Sequence, residues 1–437
     1  MQTFITAEAE PTKEFFVDMI TRDIPVDRAI LDLIDNSIDG AHRISDEENF
    51  SQLFVDLNIS KEKFIIKDNC GGIPENIAET QAFVFGKPKD YKSEKHSIGR
   101  FGIGMKRALF KIGKHFKIIS HENNFSFKLD IDTDDWVSNK IWDFKLEKID
   151  KEETFGTEII IDKIHSGIQN DFELQYFTDE LIKEVSKTHS LIIQKGFKII
   201  INGKEVSHES FLLKQSEYLI PEVISLVHKV DNKEVNIKIY SGVSDRDINK
   251  GGWYIFCNDR LILDADKSSI TGWKYDELPK YHPDFAFFRG YVTFDSDDAD
   301  LLPWTTTKTG LNSDSELYKI VFFEMKKVMK KVISFLRSRA EEDSRFNKGI
   351  ISSNPMSQLI ENAPSITFLK IIKEMQFSYS SDTPEELELR HVRRRIQYSK
   401  LQDELEFLKE YIGVSTNKDV GIYTFDYFLE LARSENE

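Results

Sequence analysis

Cysteine is nearly missing from this 437-residue chain: Cys70 and Cys257 are the only two, and they lie far apart. Such spacing builds neither a zinc site nor a disulfide framework, and it suits a reduced, cytosolic (cytoplasmic) protein. Long apolar runs are missing too. No stretch approaches the ~20 residues that a membrane helix requires, and Met1 to Pro11 carries acids where a signal peptide has an apolar core. A basic balance is the third absence, since 59 Lys and Arg against 75 Asp and Glu leave a net charge of −16. That sign opposes non-specific binding to nucleic acid without excluding a local basic patch. Internal repeats and low-complexity tracts are absent as well. What remains is an ordinary globular composition, 40% hydrophobic and 31% charged, long enough for two or three domains with real cores.

The chain is organised around Pro25 to Ala41. Ala29, Leu33, Ile34, Ser37, Ile38 and Ala41 recur at helical spacing, which predicts a packed helix with Pro25 at its first turn. Asp32, Asp35, Asn36 and Asp39 share the other side. Positions three and four apart are neighbours on a helix, so this crowding of carboxylates calls for a cation or hydrogen-bond donors. An acidic solvated face is the common outcome in an acidic chain, and the motifs downstream of the helix tip the balance toward a ligand.

Ahead of this helix, the apolar cluster Phe15 to Ile20 reads as a short helix. After it, Leu53 to Ile59 alternates as a strand, and Phe64 to Ile66 forms a second that runs into Asp68-Asn69-Cys70-Gly71-Gly72-Ile73-Pro74. An acid followed by two glycines and a proline is a tight turn that fixes one carboxylate. Residues 85–97 read as a mobile loop feeding Gly99, Gly102 and Gly104, a GxxGxG pattern opening a helix. Glycines admit a close ligand, and the amides and dipole of a helix N-terminus favour phosphate. The dinucleotide-binding alternative fails, because the preceding strand and the later strand-end acid are both missing. Lys87, Lys89, Lys92, Lys95, Arg100, Lys106, Arg107, Lys111, Lys114 and Lys117 oppose only Asp90 and Glu94, a local reversal of charge. It suits polyphosphate, nucleic acid or plain solvation, the glycines favouring polyphosphate.

Strands are expected at residues 116–120, 125–131 and 156–161, and a helical stretch at about 171–194. A second unit is expected to open at Phe197 with an Asn202-Gly203 hairpin, continue with strands at 235–240, 253–257, 260–263 and 290–294, and close with a helix through Val321 to Leu336. From about residue 342 the composition turns polar. Beyond Arg393-Arg394-Arg395, the seam Leu401, Leu405, Leu408 and Ile412 reads as a short coiled coil or a helix lying on the body.

The Asp/Asn helix, the strand-end Asp68 with its glycines and the GxxGxG helix start occur in the order and spacing of the GHKL ATPases, the superfamily of gyrase B, Hsp90, histidine kinases and MutL. Residues 15–165 carry this resemblance, and a weaker one to the S5-like transducer domain continues to about 340. Ile98 to Lys106, Ile112-Gly113-Lys114 and Asn258-Asp259-Arg260 resemble the MORC branch and its bacterial relatives. The resemblance implies an α/β chain: a Bergerat-type α/β sandwich at 1–168, an S5-like α/β transducer domain at 169–341 and a mainly helical C-terminal region at 342–437.

It also implies ATP and magnesium as ligands. Asn36 matches the magnesium ligand, an oxygen donor suited to that hard cation, and Asp68 the acceptor of the adenine amino group. Gly72 would lie beneath the base, Gly99, Gly102 and Gly104 would form a lid over the phosphates, and Thr157 would help hold Asp68. Ile73, Ile103 and Lys106 fall in the same nucleotide site. Asp32 matches the general base and Lys308 the transducer lysine that reaches the γ-phosphate. Two positions depart from the pattern. Cys70 stands where glycine is common, and Asp32 stands where hydrolysing members have glutamate, roughly 1.5 Å longer in reach. A displacement of that size costs on the order of a hundredfold in rate. The resemblance therefore implies an ATPase, slowed by the short Asp32, that forms an ATP-dependent homodimer and acts on a protein or DNA partner away from membranes. The alternative is a nucleotide-gated clamp with little hydrolysis. A histidine kinase fits less well, with about thirty residues ahead of the Asp/Asn helix and a transducer-like unit behind it.

Overall fold

The computed structural model describes residues 11–45, 49–86, 96–99, 102–380 and 396–435. The side chain of Thr12 accepts from the Phe15 amide and starts α1 (Lys13–Thr21). Pro25 then caps α2 (Val26–Ile44). Ala29, Leu33, Ile34, Ser37, Ile38 and Ala41 are all buried, as their spacing predicts. Asp32, Asp35 and Asp39 are buried as well, so the acidic side of α2 is interior and not a solvated face.

The rest of the first layer follows in chain order. β1 (Phe54–Ile59) and β2 (Lys63–Asp68) form a hairpin, α3 (Glu75–Ile77) is a single turn, and α4 (Gly104–Ile112) leads straight into β3 (Gly113–His121). After β4 (Ser126–Asp132), α5 (Thr133–Ser138), β5 (Glu147–Lys148) and β6 (Gly156–Ile164) come three helices, α6 (Ser166–Glu173), α7 (Gln175–Thr188) and α8 (Ser190–Gln194). β7 (Lys198–Ile201) and β8 (Lys204–Glu205) complete an eight-stranded sheet of order β5-β4-β3-β6-β2-β1-β7-β8. Its neighbours are antiparallel except for the parallel pair β1–β7. The predicted Asn-Gly turn is present, both residues having positive φ, but its hairpin belongs to this first sheet. The sequence pattern placed it at the opening of a second unit starting at Phe197. The cause is a parallel register between Phe54–Leu57 and Lys198–Ile201 that only the long helical crossover makes possible.

A second sheet is built from β11 (Glu222–Val230), β12 (Lys233–Val243), β13 (Gly252–Cys257), β14 (Arg260–Asp266) and β15 (Phe288–Asp295), in the order β11-β12-β15-β13-β14 with β13 and β15 parallel. The short strands β9 (Leu212–Lys214) and β10 (Leu219–Ile220) precede it. Helix α9 (Glu316–Asn347) presents Leu317, Val321, Met325, Val328 and Val332 to the core, and the Trp253 indole lies 3.4 Å from the Met329 sulfur. The chain is thus a mixed α/β protein, as expected.

Residues 354–380 do not join a separate helical region. After α10 (Pro355–Asn362), β16 (Ser365–Thr367) pairs with β9 and β17 (Ser378–Tyr379) with β10. Contacts divide the chain into one unit of Met1–Asp343 with Asn354–Thr383 and another of Ser344–Ser353 with Pro384–Glu437. The second unit holds α11 (Gln402–Ile412), which covers the predicted leucine seam, and α12 (Asn417–Ser434). Among the described residues no helix is long and apolar enough to cross a membrane. The basic positions 87, 89, 92, 95 and 100, the acids 90 and 94, and Arg393-Arg394-Arg395 lie outside the described residues.

Candidate functional site

A cleft runs along the polar side of α2 in two adjoining compartments. The wider one spans about 980 Å³ with its open mouth included and is lined by Asp32, Asn36, Asp39, Gly99, Gly102, Ile103, Gly104, Lys106, Arg107 and Lys308 among others. The deeper one, about 440 Å³, is lined by Asn36, Ser37, Asp68, Gly72, Ile73 and Thr157 among others. Asn36, Arg43, Ile73 and Met105 border both compartments, so they form one cleft with a carboxylate at either end. All twelve residues singled out from the sequence line it.

At the deep end, Asp68 closes β2. Its Oδ1 accepts from the amides of Cys70 (2.9 Å) and Thr157 (3.2 Å), and its Oδ2 accepts from the Ser37 hydroxyl (2.8 Å). Burial raises its pKa above the ordinary carboxylate value, and these three hydrogen bonds oppose the rise. Thr157 thus holds Asp68 through its backbone, while its hydroxyl meets that of Ser120 at 3.3 Å. Gly72 has φ +69, and a Cβ there would lie 2.3 Å from the His121 carbonyl oxygen, so only glycine lets the turn lie against β3. The Ile73 amide donates to Ser120 Oγ (2.8 Å) and Arg43 to the Gly72 carbonyl (2.8 Å), fixing the turn from both sides.

The wide end gathers charge. The Asp32 carboxylate is bonded on Oδ2 by Arg107 from α4, and on Oδ1 by the Lys308 ammonium at 3.2 Å. Lys308 comes from the loop after the second sheet. Its backbone sits at φ +54, a strained setting for lysine, its carbonyl accepts from Arg260 (2.9 Å), and its ammonium also reaches Asp35 Oδ2 (2.7 Å). Asp35 accepts in addition from Arg260 Nε at 3.0 Å and pairs with His189 Nε2 at 2.9 Å. Burial alone would raise its pKa, but Arg260, Lys308 and His189 hold the carboxyl well below its usual range. Burial pushes the His189 pKa down, against the pull of Asp35. Asp39 accepts from the amides of Ile98 (2.6 Å) and Gly99 (2.8 Å) and from Ser97 Oγ (3.2 Å), anchoring the glycine segment. The Asn258 carboxamide donates to the Ser97 carbonyl from the other side at 3.1 Å.

The crowded acids of α2 are therefore met by the protein's own donors, and Asn36 is left over. Its carboxamide nitrogen is buried without a hydrogen-bond partner at the junction of the compartments. Among the described residues no group of three acids, histidines or cysteines is arranged to hold a metal. Lys106 also has partners within the fold. Its ammonium donates to the carbonyls of Ala82 (2.9 Å) and Val84 (2.7 Å), bracing the cleft wall, and burial brings its pKa down to about 7. His189 and Ser37 carried no usable signal in the sequence and Arg107 only that of a basic cluster, since their partners lie 154, 31 and 75 positions away.

The model for the histidine kinase-, DNA gyrase B-, and HSP90-like ATPase family matches residues 24–164, the stretch that supplies α2, the Asp68 turn, the glycines and Thr157. The chaperone protein HtpG of Rickettsia akari (strain Hartford) is 25% identical over 327 residues, 69% of this chain and 48% of that protein. The chain thus spans about half the length of that curated relative. Together with the cleft, these two likenesses support the GHKL superfamily for this chain, through an ATPase-type domain at residues 24–164.

Proposed function

We propose that the cleft binds ATP with magnesium and hydrolyses it. In this reading adenine enters the deep compartment, its amino group donating to Asp68 with Thr157 in support and Gly72 and Ile73 beneath the base. The triphosphate occupies the wide compartment under Gly99, Gly102, Ile103 and Gly104. Asn36 would hold magnesium through its carboxamide oxygen, its partnerless nitrogen remaining to donate to a phosphate oxygen, with phosphate oxygens and waters supplying the other ligands; the ion, when bound, neutralises charge on the phosphates. Asp32 takes the proton of the attacking water, and Lys308 links the γ-phosphate to the second sheet. The observation that carries the reading is the continuity of one cleft from Asp68 to Asp32, with Lys308 of the second sheet's loop entering at the phosphate end. Lid closure, an ATP-driven homodimer, closeness to the MORC branch and a protein or DNA partner belong to the same proposal, and rest on the resemblance of the motifs.

Phosphate release with magnesium and ATP tests it, run beside sizing with ATP and a non-hydrolysable analogue. Turnover that Asp32→Asn abolishes while ATP stays bound supports hydrolysis with Asp32 as base. Turnover unchanged by that substitution removes Asp32 from the role. A second reading, a clamp that assembles on ATP with little hydrolysis, is favoured by the engagement of both Asp32 oxygens in ion pairs. ATP-dependent dimers without phosphate release would select it.

A further inference from the structure

Arg107 lies in the first turns of α4, just past the glycine segment, and is 8% exposed. One terminal nitrogen bonds Asp32 Oδ2, while its Nε is buried without a hydrogen-bond partner. A guanidinium offers five donors in a planar fork that matches phosphate oxygens two at a time, and a buried donor left unsatisfied is costly. Arg107 also lines the wide compartment, so it faces the space that the terminal phosphate of a nucleotide would enter.

The charges around Asp32 show which cation can change partner. Lys308 is the fixed one. Its ammonium is closer to Asp35 (2.7 Å) than to Asp32 (3.2 Å), and Arg260 pins its carbonyl. The side chain of Arg107 has no bond besides Asp32 among the described residues, and it stands on the helix that the glycines begin. With each of its oxygens paired to a cation, Asp32 is a weaker base toward water than a free carboxylate would be.

We infer that Arg107 is a ligand of the terminal phosphate, and that an entering nucleoside triphosphate takes it from Asp32 and so frees that carboxylate. This rests on the proposed reading of the cleft and deepens it: the Arg107 ion pair weakens the general base until a triphosphate takes the guanidinium, and a diphosphate ends short of the exchange.

The test compares ATP and ADP binding, each with magnesium, by calorimetry on the full chain. Wild type should prefer ATP. Arg107→Gln should lower ATP affinity about ten- to hundredfold, the loss of one charge-assisted phosphate contact, and leave ADP affinity within about threefold. Asp32→Asn, which unmasks Arg107, should tighten ATP more than ADP. Where Arg107→Gln leaves Asp32 too exposed to fold, the double variant Asp32→Asn, Arg107→Gln removes both charges together and should show the same loss specific to ATP. Equal loss of both nucleotides in either variant would make Arg107 a structural partner of Asp32 and overturn the inference, as would unchanged ATP affinity. Wild-type protein that binds neither nucleotide fails at the earlier step, the cleft reading itself, and wild type that binds ADP without preferring ATP fails at Arg107.

Discussion

Lys106 is buried with two backbone carbonyls for partners and the Phe85 ring 6.0 Å away. Burial lowers its pKa from 10.5 to about 7, so the folded protein releases this proton before the unfolded chain does. Between about pH 7 and 10.5 the unfolded state binds more protons, and stability rises with pH; below about 7 the full penalty of the buried charge is present. Lys106→Met removes that titration. Urea denaturation at pH 7 and pH 9 should therefore show wild type gaining on the order of 2 kcal/mol relative to the variant, at about 1.4 kcal/mol per pH unit; parallel pH profiles would refute the burial argument. Gly72 makes a second prediction at this scale. A Cβ there would press on the His121 carbonyl at φ +69, so Gly72→Ala should cost about 1–3 kcal/mol by the same measurement and weaken nucleotide binding at the deep end of the cleft.

The α2 helix shows how far sequence reaches. Its apolar register was legible because Ala29, Leu33, Ile34, Ile38 and Ala41 follow a local period, and its acidic side was legible as an anomaly. Which groups answer that anomaly was not, since Arg107, His189, Arg260 and Lys308 arrive from 75 to 276 positions away. The same limit hid the place of β7, whose parallel register with β1 leaves no local mark. β11 was missed for another reason: Val223 is buried, while Val227 and Val230 are exposed, so its apolar residues do not alternate cleanly. Asp68 and its glycines were legible because turn chemistry is local. Asp35→Asn tests what α2 contributes. It leaves Arg260 buried without its carboxylate, a change that costs about 3–5 kcal/mol in comparable pairs. Because the folded carboxyl is held below its ordinary range, this stabilisation is present above about pH 4, the unfolded value, and is lost as pH falls. Denaturant titrations should find the full gap between wild type and variant at pH 7 and a shrinking one in acid. A gap independent of pH would mean that packing, not charge, is what Asp35 supplies.

At the scale of the whole molecule, the composition break near residue 342 is not where the first unit stops. Residues 354–380 return to it: the Ser357 hydroxyl donates to Asp343 at 2.8 Å, β16 and β17 pair with β9 and β10, and the Phe368 ring stacks on Tyr291 with centroids 4.5 Å apart. Phe368 is fully buried, among Tyr240, Phe256 and Tyr291. Loss of such a side chain costs on the order of 3–5 kcal/mol. A chain ending at residue 353 forfeits it together with both strand pairs, whereas a chain ending at residue 380 keeps all three. Calorimetric melting should place the longer chain with the full-length protein and the shorter one lower by on the order of 10 °C. Equal melting of the two truncated chains would show that residues 354–380 add nothing to the second sheet. If they separate as expected, the shorter chain should also bind nucleotide more weakly, because the sheet that carries Arg260 positions Lys308 in the cleft.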